Sequence, residues 1–510
     1  MNEQHSQSDP TPIFTALMYE RLDTRSNPAM GFQSYEKLDG DSSERSRQTE
    51  DFLTDRSYNP TLDYPLLDSH ELDLAAVPLE LIASQANYLN DRTAAVAVQC
   101  SAVYRMNEMA WLKEAKILNQ LAATEPESSA YQESAIRYQQ LNERLYGKPN
   151  EVIIKQIYGE IFTQADAKQL DERGLKIYHE LYDGYTFEVA GQHVTIPALG
   201  EKAAGRLPTI TSESLSTLGE VLHGDIKFIE NINQSYWDEV IIPRSQANDS
   251  PPSFNIYDMK AVFEQTLSEM DPDNNAGIAI QIMPNKSALS WDTPTMTVEI
   301  GEKRAPIADP ADMTAKITHE LWTHGGRAIN GLTSDLPVLG TGLYTDADIE
   351  TGERSDYLTF EEGFATLAEM VIKGEDVAWT PIYVSRYLAC ASTYDGADFR
   401  EAFEINWRAR VLMAAKSGQP LSDDLVAKEK KQAYMSVVRI RRGTPTQLSD
   451  GQGLTFNKDL AYLEGKLVAA DYLKSIGNDK AAIRRLFSAK FDPTNHIQDE
   501  LVSQYSVSTY

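Results

Sequence analysis

Two cysteines in 510 residues is a small number. Cys100 and Cys390 form no thiolate metal spacing, and both sit in apolar, helical-looking stretches. They read as packing thiols of a reducing compartment, not as a disulfide. Positive charge is also scarce: 47 Lys and Arg against 76 Asp and Glu give a net charge of −29 and a pI near 4.7. Nucleic acid and anionic membrane are excluded as main partners, because both are attracted by a basic face. No apolar run approaches ~18 residues, which excludes a transmembrane helix. The opening MNEQHSQSDPTPIF lacks a basic segment followed by an apolar one, so no secretory signal is expected and the chain reads as cytoplasmic and soluble. Histidine is rare too, with eight in the chain. A pair of them five residues apart therefore stands out.

Residues 1–65 are polar and mixed in charge, as in DGDSSERSRQTEDFLTDRSYNP, and are expected to form a flexible tail. Residues 66–250 carry mainly helical patterning. The stretch AAVAVQCSAVYRMNEMAWLKEAKILNQLA has apolar positions at 3–4 residue intervals with no Gly or Pro, and predicts one long helix. A second helical run around Tyr138, Leu141 and Leu145 stops at YGKPN. SPPSF at 250–254 marks a boundary. Beyond it, 251–500 reads as the catalytic region and 501–510 as a C-terminal tail. Met259, Val262, Phe263, Leu267 and Met270 share one helical face. Ile278, Ile280 and Ile282, then Met296, Val298 and Ile300, alternate as two strands joined through the turn-rich PNKSALSWDTP. Asp309 and Pro310 supply an N-cap and first helical residue for a helix carrying Met313, Ile317 and Leu321. A further helix, capped by Thr359, has Phe360, Phe364, Leu367 and Val371 on its apolar stripe. The expected class is α+β, mainly helical, with a small sheet beside the helix after Asp309.

That helix carries HELWTH, residues 319–324. A His-Glu pair followed by a second His is the start of many zinc peptidase sites. The common spacing H-E-x-x-H sets the histidines about 40° apart around a helix, within reach of one ion. Here they stand at i and i+5, about 140° apart on a regular α-helix at ~100° per residue. A π-turn between them would restore convergence. A distortion at Gly325-Gly326 would also do so. A catalytic zinc commonly takes His, His and Glu, with a second carboxylate as proton acceptor. Glu320 is the candidate base, since it adjoins His319. Glu361 and Glu362, on the next helix, are both candidates for the third ligand.

HELWTHGGRAING followed by LTFEEGFATLAE resembles the tyrosine carboxypeptidase family that includes the microtubule-associated tyrosine carboxypeptidase. Its bacterial members are labelled flavohemoglobin expression-modulating QEGLA motif proteins. The matching residues are Arg327, Asn330-Gly331 and Glu362-Gly363-Phe364-Ala365, with Phe364 in place of the usual Leu. RIRRGTPTQLSDGQGLTFNKDLAYLEGK extends the likeness through Arg439, Arg442, Gly443, Lys458, Asp459, Tyr462 and Gly465. The resemblance covers roughly 75–490. It implies a gluzincin-like core and a Zn2+ site with His319, His324 and Glu362 as ligands and Glu320 as general base.

A carboxypeptidase also needs a cation for the substrate's terminal carboxylate. Arg327, Arg439, Arg442 and Lys458 are the candidates. Tyr383, Tyr387 and Tyr462 are candidate oxyanion donors. The substrate class is a peptide or protein C-terminus, with tyrosine or another aromatic residue as the leaving group. Eukaryotic relatives act on an acidic tubulin tail, but a protein of charge −29 repels such a tail unless a basic patch intervenes. Tubulin is not carried over. The alternatives are an endo- or aminopeptidase on the same zinc, or a catalytically silent regulatory protein. Oligomeric state is not legible.

Overall fold

The predicted long helix forms as a single element, Arg92–Thr124, in the computed structural model of the chain. It starts where Asp91 accepts hydrogen bonds from the N–H groups of Thr93 and Ala94, which satisfies donors the first turn would otherwise leave open. Its neighbour, Ser129–Tyr146, ends at Gly147 with φ of 71°, within the expected YGKPN stop. The structure describes residues 42–62, 69–89, 91–284, 286–348, 353–376, 379, 381–441, 444–446 and 454–505. Over these the chain is mainly helical with three small sheets, the α+β class expected from the sequence. No helix among the described residues is long and apolar enough to cross a membrane.

The ends and the linker differ from expectation. Within the supposed N-terminal tail, Ser42–Leu53 is helical and Phe52 is fully buried. Its ring meets Phe399 and Phe403 edge-on, at centroid distances of 5.2 and 4.9 Å. Arg400 lies over the same ring and donates to the carbonyls of Phe52, Ser57 and Tyr58. One aromatic anchor in a polar stretch is thus enough to dock residues 42–62. At the other end, the helix His496–Tyr505 runs into the supposed tail, with Leu501 and Val502 buried. SPPSF is tied down as well: Phe254 is buried and exchanges both backbone hydrogen bonds with Ile307, at 2.8 and 3.0 Å. Buried apolar residues from Phe52 to Val502 form one continuous cluster.

The helical 66–250 span holds one hairpin. Strands β1 (Tyr185–Val189) and β2 (Gln192–Ile196) pair across Ala190-Gly191, both with positive φ. That is a two-residue hairpin turn, but with Ala where the familiar signal has Asn or Asp. The sheet beside the motif has three strands, not two. β3 (Ala279–Met283) pairs parallel with β5 (Thr297–Gly301), and β4 (Leu289–Asp292) pairs antiparallel on β5's other side. The connection read as turn-rich therefore contains an edge strand, with Leu289 and Trp291 buried.

Two further helices frame the site. The first begins at Pro310, capped by Asp309 as expected. The second spans Tyr357–Lys373, capped by Asp356 and not by Thr359, whose N–H is the donor in that cap. It crosses the helix Leu460–Ile476 at Gly363 and Gly465. A Cβ on Gly363 would lie 2.0 Å from the Gly465 carbonyl carbon, so the two backbones touch. Because backbone cannot give way as a side chain can, Gly363→Ala is expected to cost about 3 kcal/mol or more. Urea denaturation would reveal it, and a variant as stable as wild type would show that the crossing is not this tight.

Candidate metal centre

The helix does open at the motif. Residues Pro310–Ile317 are α-helical, Thr318–Gly325 form a π-helix, and Gly326–Leu332 resume the α-helix. Thr323 reinforces the wider turn by donating from Oγ1 to the Thr318 carbonyl, five residues back, at 2.7 Å. In a ladder of i→i+5 hydrogen bonds, residues five apart stack much as residues four apart do in an α-helix. His319 and His324 consequently face each other, with ring centroids 5.2 Å apart. One ligand atom each from His319, Glu320 and His324 fall within 4.8 Å of one another. The helix does not end at Gly325-Gly326. Gly325 instead lets Trp291 of β4 lie against the widened turn, since a Cβ there would sit 3.3 Å from its ring.

Each imidazole has a carboxylate on its Nδ1 side. His324 Nδ1 is hydrogen-bonded to Glu361 Oε1 at 2.8 Å. His319 Nδ1 lies 3.2 Å from Glu369 Oε2, an ion-pair distance without the alignment of a hydrogen bond. Carboxylates in these places fix ring orientation and leave Nε2 as the ligating atom. The field is negative. Burial pulls the His319 pKa down, but Glu320 and Glu369 outweigh it and hold the pKa above the ordinary histidine value. Glu369 is itself held down at about 2: its burial is outweighed by His319 and Lys316.

The two carboxylates left open by the sequence have different environments. Glu361 is buried and fully engaged, by His324, by Arg327 at 2.9 Å and by Lys490. Burial alone would raise its pKa, but Lys490 and Arg327 hold it well below the usual carboxylate range. Glu362 is half-buried, and its carboxylate makes no hydrogen bond or ion pair among the described residues. Between Phe360 and Ile372, only Glu362 and Glu369 are half-buried, and at seven residues apart they lie on one face of this helix. Glu362 is not part of the close group formed by His319, Glu320 and His324.

The candidate cations separate as clearly. Arg327 is fully buried, and its guanidinium is spent on Glu361 and on the carbonyls of Ala489 and Phe491, at 2.6 Å each. All three of its nitrogens are engaged inside the protein, and that commitment sets it apart from a cation free to meet a substrate. Asn330 donates to Phe487 O at 2.8 Å, so both motif residues hold the 487–491 segment against the helix. Arg439 pairs with Asp459, which also lies 3.5 Å from Arg386. This is a salt-bridge cluster. Lys458 is buried; desolvation lowers its pKa, opposed most by the charge of Glu362. Arg442 lies outside the described residues. Tyr387 is committed elsewhere, donating to Glu464 at 2.7 Å and accepting from Asn150 N–H. Cys390 is a buried free thiol and Cys100 a half-buried one.

The family model for the microtubule-associated tyrosine carboxypeptidase matches residues 236–501, just over half of the chain. The chain belongs to this family. The match takes in the whole site: the π-helix, the sheet beside it, the Glu362 helix and the segment that receives Arg327. The helices before residue 236 lie outside it. No curated protein and no solved structure matches the chain. Membership makes the protein one of a carboxypeptidase-type peptidase family.

Four residues near these side chains were not singled out from sequence. Glu369 stands seven residues after Glu362, two helical turns on, and that spacing could have exposed it. Lys490 sits more than a hundred residues from its partner Glu361, and no local pattern announces it. Arg304 follows β5, and Lys466 follows Gly465. Both are described below.

Proposed function

We propose that the protein is a zinc-dependent metallocarboxypeptidase that removes a C-terminal residue, tyrosine or another aromatic, from a peptide or protein. The observation that carries this reading is the π-turn, which sets His319 and His324 face to face with a carboxylate behind each ring. Two imidazoles in a negative field suit a divalent cation, and zinc is the ion that His, His and Glu sites of this kind usually hold. His319 and His324 would be two ligands. Glu362 is the third, favoured over Glu361 because its carboxylate is uncommitted. A small sheet beside the motif helix supports the gluzincin-like core implied by the resemblance.

Zinc bound there would polarise the scissile carbonyl and acidify a water toward a pKa of about 7. Glu320 then has the work of the proton. Its Oε1 lies 3.9 Å from His319 Nε2, so the carboxylate stands beside the ligating edge of the ring. It takes the proton of the attacking water and returns it to the leaving amine. His324 is held for its part by Glu361, which Arg327 and Lys490 keep ionised. Free thiols at Cys100 and Cys390 are consistent with a cytoplasmic setting.

The test is metal content and end-blocking together. Protein purified without chelators is expected to carry zinc, to lose hydrolysis on treatment with 1,10-phenanthroline, and to regain it with added zinc. A peptide with a free C-terminus should be cut and its amide spared. Equal cleavage of the two would make it an endo- or aminopeptidase. Neither zinc nor hydrolysis would make it a binding protein.

A further inference from the structure

Two cations near the site have no carboxylate partner of their own among the described residues. The first is Arg304, after β5. Its Nε is buried without a hydrogen bond among the described residues, and the charges that oppose its desolvation are Glu320 and Glu369. The second is Lys466, on the helix Leu460–Ile476. Only 1% of its surface is exposed. Among the described residues it makes no ion pair and no hydrogen bond. Its Nζ sits 3.9 Å from the centre of the Tyr383 ring. The one carboxylate whose charge it feels is Glu369, which already serves His319 and Lys316.

An unpaired buried ammonium is costly, and proteins rarely keep one without use. Burial lowers its pKa to about 8, with Glu369 opposing only in part. It is therefore still mostly charged at neutral pH. The close crossing at Gly363 and Gly465 brings Lys466 to the Glu369 side of the Tyr357–Lys373 helix. The two cations then differ in one respect. Arg304 feels Glu320, the proposed base, most strongly. Lys466 feels Glu369 and not Glu320. In a peptide bound for loss of its last residue, the scissile carbonyl lies at the base, and the terminal carboxylate lies one residue, about 3.8 Å of chain, further on. Lys466 follows Gly465, whose backbone lies against Gly363 next to the proposed ligand Glu362, so it adjoins the site from the crossing helix.

We propose that Lys466 is the residue that receives the terminal carboxylate of the substrate, with the Tyr383 ring as the wall beside it. The proposal rests on the carboxypeptidase reading and supplies the specificity element that Arg327 and Arg439 cannot. A substrate carboxylate gives the ammonium the ion pair it lacks, in a site already stripped of water. Charge-assisted pairs of this kind are worth roughly 10- to 100-fold in binding.

The experiment measures binding without turnover, in a Glu320→Gln background. Its probes are one N-acetylated tripeptide ending in tyrosine and the same peptide as its amide. The zinc-loaded protein is expected to bind the acid roughly 10- to 100-fold more tightly than the amide. Adding Lys466→Met should bring the two affinities together by weakening the acid alone, with zinc content unchanged. Lys466→Arg, which keeps a cation, should retain part of the preference. If Lys466→Met does not fold, Lys466→Gln carries the same comparison. A preference that survives loss of the cation overturns the role of Lys466 and leaves the carboxypeptidase reading standing. Absence of any acid preference in the Lys466 parent, together with equal cleavage of acid and amide by wild type, overturns both. Loss of the preference in Arg304→Met, with Lys466→Met unaffected, reassigns the carboxylate to Arg304 and overturns the proposal.

Discussion

Glu320→Gln is expected to lower kcat/KM for peptide hydrolysis by about 100- to 10,000-fold, the range of a lost general base. Zinc content should not change. The residue is 8% exposed beside His319, and the amide keeps its volume while removing a charge from a negative site. The variant should be about as stable as wild type, and the two histidines should still hold zinc, with an affinity somewhat lowered by the lost negative charge. A near-wild-type rate would remove Glu320 from the chemistry and direct attention to Glu369, whose carboxylate lies 3.2 Å from His319 Nδ1. Loss of zinc along with rate would mean that Glu320 helps hold the ion instead of moving a proton.

Arg327→Met should have the largest effect on stability. Arg327 is fully buried, and its loss leaves Glu361 short of one cation and two carbonyls, Ala489 O and Phe491 O, without their donors. Breaking a buried pair from one side typically costs about 3–5 kcal/mol. The damage extends to the metal. Glu361 orients His324, and removing support behind a ligand commonly weakens metal binding by about 10- to 100-fold. Lysine should not rescue the site, because an ammonium cannot reproduce the fixed fork that spans one carboxylate and two carbonyls. Urea denaturation and zinc competition with a chelating dye read the two effects. A variant within about 1 kcal/mol of wild type would show that the network is dispensable.

Much of this arrangement is legible in the sequence. HELWTH, with its extra residue, requires a wider turn for its histidines to converge, and a π-turn is one of two remedies. The other remedy, a helix ending at Gly325-Gly326, is not used: the helix continues to Leu332. The choice between Glu361 and Glu362 could not be made by spacing, because both lie on the same helix at adjacent positions. What separates them is Arg327 and Lys490, and Lys490 comes from a segment 129 residues away. The cations stayed open for the same reason. A motif arginine three residues from a histidine is as well placed to support it as to meet substrate, and only its hydrogen-bond partners tell the difference. The fold was legible where apolar spacing was long and regular, as in Arg92–Thr124. It was lost where one residue decides, as with Phe52 in a polar stretch or β4 inside a turn-rich connection.

The bond from Arg327 to the carbonyls of Ala489 and Phe491 also bears on biosynthesis. His319, Glu320 and His324 leave the ribosome well before residues 487–491 are made. Until those residues emerge, Glu361 has no Lys490, Arg327 has no carbonyls to bind, and His324 has only a loosely held carboxylate behind it. The site is therefore completed only after residues 487–491 have emerged. A growing chain thus carries the whole histidine motif about 160 residues before the carbonyls that hold Arg327, and its second imidazole gains firm support only late.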